Sequence, residues 1–369
     1  MAYTTVDNPE LYFQSVLWTG DDSTDNAITF DNTDTSMQPN LIWLKPRTKV
    51  DNHRWMDSVR GVTKMLPSNS DGVEETISAG LASFDSNGFT LNTTDSGYNS
   101  SSYTYVAWNW KAGTSFTNDA SATGVGTLDS TGSSSQTAGF SIVSYTSNGS
   151  SSQSVAHNLG GVPEMIISKN RDSSSSSYNY WTIFNHNLAT ANDKKLILNT
   201  SAGASTTNEW GDTDPTSTVY SLHTSGDGTT NHSSDKIISY CFRGIKGYSK
   251  FGSYTGNGDA DGTMVYTGFK PAWTLIKRTD STTGGSWILF DNKRGNNVRN
   301  PVDVVMAASN NQSEADWGTA YDCDYLSNGF KWRHDGSSGY VNVSGASYIY
   351  MAFAENPFVT STGVPATAK

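Results

Sequence analysis

The chain has 369 residues, of which Ser, Thr, Asn and Gly make up 160 and charged residues only 16%. That balance excludes long-helix and coiled-coil classes, while 11 Trp, 18 Tyr and 14 Phe exclude a disordered chain. A net charge of −11 argues against nucleic acid as a partner, and the absence of any run of 18 apolar residues argues against a membrane-spanning helix.

In chain order, Met1-Ala2-Tyr3-Thr4-Thr5 lacks the basic start and apolar core of a signal peptide, so no secretory address is expected. Next comes a pattern that occurs three times. Pro39-Asn40-Leu41-Ile42-Trp43-Leu44-Lys45 aligns with Pro163-Glu164-Met165-Ile166-Ile167-Ser168-Lys169 and Pro271-Ala272-Trp273-Thr274-Leu275-Ile276-Lys277. Each copy reads proline, an apolar run, then lysine six places on. Trp18-Thr19-Gly20, Tyr145 to Gly149 and Tyr254 to Gly258 precede the prolines by 21, 18 and 17 residues, and Trp55, Trp181 and Trp287 follow them by 16, 18 and 16. The copies close alike in Tyr105 to Trp110, Ile237 to Phe242 and Tyr348 to Phe353, runs of β-branched and aromatic residues that read as strands.

A repeat of this length is a domain and not a solenoid unit. The expected organisation is a first repeat over 1–113, a Ser/Thr/Gly-rich flexible linker over 114–138, a second repeat over 139–247, a third over 248–358 and a tail over 359–369. The linker implies a first domain that moves against a fixed pair formed by the second and third. Short strands, four Asn-Gly hairpin signals at 87, 148, 257 and 328, and a helical signal confined to Asp71–Ala82 give an all-β chain of three tandem β-sandwiches, jelly-roll or lectin-like, with a small barrel as the alternative. Four successive apolar residues after Pro39 suit a strand buried on both faces.

Several phrases are long enough to carry a resemblance: Tyr254 to Gly258, Thr267 to Pro271, Trp287 with Asp291, Leu326 to Phe330 and Met351 to Phe358, together with Ala2 to Gln14, Asp57 to Lys64 and Tyr105 to Gly113. In these the chain resembles a family of uncharacterised repeat-domain virion structural proteins of marine bacteriophages. The resemblance implies a tail or fibre component or a capsid-surface decoration, located in the virion, with other virion proteins as partners and homo-oligomers within reach. It supplies no catalytic motif.

The chemistry of the residues points the same way. The chain has no Gly-x-Ser-x-Gly, its six histidines occupy no common place in the repeats, and Cys241 and Cys323 lie too far apart for zinc-ligand spacing. Two buried free thiols and mostly solvated loop histidines are expected, and no enzyme. No cofactor is expected either. Calcium is the ion to look for, at Asp259-Ala260-Asp261-Gly262, which fails as an EF-hand because Met264 stands where glycine is needed, and at Asp322-Cys323-Asp324. Asp57 with Arg60, and Asp291 with Arg294, read as local ion pairs that orient a turn in preference to an anion site. A second function, adhesion to host surface glycans, would use exposed aromatic faces. Trp210 and Trp317, in polar and Gly-flanked settings, are the stacking candidates, whereas Trp43, Trp55, Trp181, Trp273 and Trp287 belong to the core.

Overall fold

The structure, a computed structural model, describes residues 3–365 apart from 32–35, 174, 225–227, 282–284, 296–299 and 317. It is all-β. Each repeat lays a large antiparallel sheet against a smaller one. In the first repeat the large sheet runs in the order Phe13–Thr19, Thr104–Trp110, Leu41–Pro46, Arg54–Asp57, Lys64–Pro67 and Glu75–Thr76. The third repeats this order with Ser249–Thr255, Ser347–Pro357, Phe269–Arg278, Ile288–Asp291, Val304–Ala307 and Ala315–Asp316. The smaller sheets are Asn26–Thr29, Gly88–Leu91 and Leu81–Asp85 in the first repeat, Gln153–Ala156 with Val219–Leu222 in the second, and Met264–Tyr266, Gly329–Trp332 and Cys323–Leu326 in the third.

The second repeat has the same six strands and two more. Thr114–Asn118 and Ser130–Ser135 extend its sheet beyond Phe140–Thr146. The segment expected to be a flexible linker is therefore sheet, and Asp119 caps a single helical turn, Ala120–Thr123, between the two strands. Its Ser and Thr residues satisfy their backbone polar groups in the ladder, so polarity of side chains did not prevent pairing. The helical signal at Asp71–Ala82 fails as well, because Glu75–Thr76 is an edge strand. Of the four Asn-Gly pairs, those at 87 and 328 close two-residue hairpins. Those at 148 and 257 leave one sheet for the other, with Gly149 and Gly258 at positive φ.

Large sheets with six buried residues in a row, as in Leu41–Pro46, have two apolar faces to cover. One covers the repeat's own small sheet: Ile42, Leu44, Met56 and Ala107 pack with Ile28, Phe89 and Leu91. The opposite faces of all three large sheets share one core, which joins Trp43, Trp55, Trp108 and Trp110 to Ile167, Trp181 and Tyr240 and to Trp273, Leu289, Met351 and Phe353. The first repeat is thus built into the centre beside the other two, which corrects the expectation of a mobile first domain.

The register shows a pseudo-threefold ring. Thr182 pairs with Ile197, Ile288 with Ala307 and Arg54 with Pro67, so Trp181, Trp287 and His53 occupy one position in the three repeats. The sequence alignment of Trp55 with Trp181 and Trp287 is therefore two residues out of step. Trp181 Nε1 donates to Pro67 O of the first repeat at 2.9 Å, and Trp287 Nε1 to Ile197 O of the second at 2.9 Å. His53 lies against the backbone of Ala307 in the third, closing the circle. A second circle of main-chain bonds runs beside it: Glu74 N to Arg171 O at 2.8 Å, Ala204 N to Thr279 O at 2.9 Å and Glu314 N to Arg47 O at 2.9 Å.

Candidate functional site

The charged motifs lie in the junctions of this ring. Asp57 pairs with Leu41, Asn185 with Met165 and Asp291 with Trp273, so these three residues are equivalent. Facing them from the next repeat are Tyr240, Met351 and Trp108, themselves equivalent by their pairing with Ile167, Leu275 and Trp43. Between the first and second repeats, Tyr240 Oη donates to Asp57 Oδ2 at 2.7 Å and Arg60 Nε meets the same oxygen at 2.5 Å. Glu74 bridges Arg60 at 3.3 Å and Arg171 at 2.7 Å. Between the third and first, Trp108 Nε1 donates to Asp291 Oδ2 at 2.9 Å, Arg294 Nε pairs with it at 2.5 Å and Glu314 holds Arg47 at 2.8 Å. Burial pushes the Asp291 carboxyl up, but Arg294 and the hydrogen bonds outweigh it and hold the group below the usual carboxylate range. Both pairs are ion pairs, as expected, and their added role is to fasten one repeat to the next. The third junction is uncharged at these positions: Asn185, Leu188, Ala204, Thr279 and Met351 stand where the others have Asp, Arg, Glu, Arg and Tyr or Trp.

The lysine that ends each proline motif is buried in all three copies. Lys45 Nζ donates to Pro46 O and Lys49 O at 2.8 and 3.2 Å, Lys169 Nζ to Asn179 O at 2.5 Å, and Lys277 Nζ to Gly285 O and, in the second repeat, to Ser201 O at 2.9 Å. Burial lowers each ammonium to about 7. These groups tie loops to sheet ends.

A groove of about 740 Å³ lies on the side of the third repeat. Its floor is the edge strand Ser249–Thr255, one wall is the strand Met264–Tyr266, and the ends are Tyr3 and the second repeat's His186 and Asn187. Tyr266 is 50% exposed and Met264 40%. Lys250 Nζ donates to Tyr266 O at 2.6 Å and stands 5.4 Å from the centre of that ring; Lys246 Nζ stands 4.4 Å from the Tyr3 ring. Burial lowers the Lys250 ammonium and Glu164 opposes this. His186 Nε2 lies 3.5 Å from Glu164 Oε2, and Glu164 Oε1 accepts from Gly244 N at 2.9 Å. The arrangement offers aromatic faces, donors, acceptors and an excess of positive charge, which suits binding.

Trp210 is no part of it. At 1% exposure, edge-on to Phe184 with its Nε1 donating to Lys194 O at 3.1 Å, Trp210 is core, so its polar flanks do not signal a stacking face. Trp317 lies outside the described residues. Both thiols are free and buried, and Trp43, Trp55, Trp181, Trp273 and Trp287 are core. His53 and His157 are buried rather than solvated. In the two acidic segments, Asp261 pairs with Lys331 and Asp324, in the strand Cys323–Leu326, with Arg333. No group of three His, Cys, Asp or Glu among the described residues is placed to hold a metal ion. Tyr266 and Lys250 escaped sequence reasoning because neither belongs to the repeated pattern, and their only signal was proximity to the Tyr254 turn.

No curated protein matches the chain. A family model does, and it runs through all three repeats, taking the ring as one unit: over residues 8–357 the chain belongs to the family described as a domain of unknown function (DUF7483).

Proposed function

We propose that the protein is a structural component of a bacteriophage particle, a tail or fibre part or a capsid-surface decoration, that works by protein–protein assembly in the virion and without catalysis. The observation that carries this reading is the closed ring: three repeats share one aromatic core and are fastened by buried polar bonds, which suits a rigid module that must hold its shape within a larger body. The strongly perturbed Lys45, Lys169, Lys277, Arg60 and Asp291 are accounted for by loops and junctions, so their shifts call for no reaction. The resemblance to virion proteins supplies the setting. Mass spectrometry of purified particles tests it: many copies per particle are expected, and absence from particles refutes the proposal.

A second reading, a carbohydrate-binding adhesin for the host surface, is favoured by one observation, the groove with exposed Tyr266 between the second and third repeats. A part of a particle with such a groove would serve both roles.

A further inference from the structure

The groove has a local cause in the sequence. Gly252 pairs with Tyr350 in the third repeat, where the first has Val16 opposite Ala107 and the second Val143 opposite Ser239. Large and small have changed places. A Cβ at Gly252 would stand 2.4 Å from Tyr350 Oη, so the glycine makes room for the phenol. In the other two repeats the valines are buried in the cores between sheets; here Tyr350, 2% exposed, fills that place in the third repeat's core and also borders the groove.

The free edge of Ser249–Thr255 borders the groove, which invites an added peptide strand. That edge is already engaged. Phe251 O accepts from His186 Nε2 at 3.0 Å and Asn187 Nδ2 at 3.2 Å, both from the second repeat. What is left for a ligand is the exposed Tyr266 ring and Met264, and two lysines against one carboxylate in a chain of net charge −11, the Tyr3 hydroxyl being engaged with Gly268 O and Tyr266 Oη. Sugar rings lie on aromatic faces through their C–H bonds and offer hydroxyls to polar walls, and a sugar carboxylate would find the ammonium groups.

We propose that this groove binds an acidic saccharide chain, its rings on Tyr266 and Met264 and its carboxylates toward Lys246 and Lys250. This rests on the carbohydrate-binding reading above. The test is titration calorimetry of the intact chain with polygalacturonate and alginate fragments and with cello-oligosaccharides of equal length. At least one acidic fragment should bind more tightly than its neutral counterpart. Tyr266→Ala should lower that affinity about tenfold, with an unchanged melting temperature because the ring is half exposed. Lys250→Gln should flatten the salt dependence. Equal binding of acidic and neutral fragments overturns the charge assignment. Acidic binding untouched by Tyr266→Ala overturns the groove and leaves the adhesin reading standing, while no saccharide binding at all overturns both.

Discussion

The uncharged set at the junction between the second and third repeats provides a natural replacement for the charged one between the first and second. Arg60→Leu alone should leave the Asp57 carboxylate buried with Tyr240 but without its cation. Both side chains are fully buried and 2.5 Å apart, so the loss should be about 3–5 kcal/mol. Completing the exchange with Asp57→Asn, Glu74→Ala, Arg171→Thr and Tyr240→Met writes in the set Asn185, Leu188, Ala204, Thr279 and Met351. No charge is then stranded, and replacing a buried ion pair by packed apolar groups is often neutral or better, so the fivefold variant should return to within about 2 kcal/mol of the parent. Urea unfolding followed by tryptophan fluorescence reads both, since Trp55 lies in the same core. A cost below about 1 kcal/mol for Arg60→Leu, or a fivefold variant as unstable as the sum of its single changes, would refute the claim that these ion pairs are fasteners whose value depends on being complete.

The three buried lysines set a pH dependence. Each has its folded value lowered to about 7 from 10.5, so between those limits the unfolded chain binds more protons and stability rises with pH, by at most about 1.4 kcal/mol per unit for each lysine. Above pH 10 the buried Tyr145, Tyr220 and Tyr240, raised by burial, reverse the slope. Melting temperatures should therefore climb from pH 7 to 9, and Lys169→Met should reduce the gradient. Trp287→Phe removes the bond to Ile197 O while keeping an aromatic ring, and should cost about 1–3 kcal/mol in chemical denaturation. Trp210→Ala should cost about 3–5 kcal/mol through the cavity it leaves, with no change in saccharide affinity. Cys241 and Cys323, raised by burial, should react with a thiol reagent only in denaturant.

What the sequence revealed was whatever is repeated. The proline, the apolar run and the closing strand recur because each large sheet is covered on both faces, and continuous hydrophobicity is the signature of that position. Composition misleads at 114–138, where Ser and Thr suggest a linker although Ser130–Ser135 pairs along its whole length. The hydroxyls there do not oppose a strand. They only fail to announce one. The alignment of Trp55 with Trp181 and Trp287 follows residue identity, whereas the sheet matches His53 to Trp181 and Trp287 and leaves Trp55 opposite Trp43. The groove was invisible because it depends on where the repeats differ, in the exchange of valine for Gly252 and of a small residue for Tyr350.

Those differences have a common logic. A ring of three identical repeats would present each surface three times and each junction once per interface. This chain keeps the backbone circle of Glu74, Ala204 and Glu314 intact and varies the side chains around it. The first repeat meets both the second and the third, and ion pairs cross both of its junctions. Directional bonds fix the register of a junction, because a misplaced register leaves a buried charge unpaired and is penalised heavily. The second and third repeats are joined by a short connection at Phe242–Ser249, where the Ile245 carbonyl accepts from both Tyr248 N and Ser249 N at 2.9 Å. The first and second are joined as closely, by 111–113 between Trp110 and Thr114, so the length of the connection does not decide which junction carries charge. On the side of the ring where the second and third repeats meet, His186 and Asn187 of one repeat and Gly252 and Tyr266 of the next shape a groove, and the charges there, Glu164, Lys246 and Lys250, face the groove instead of fastening the junction.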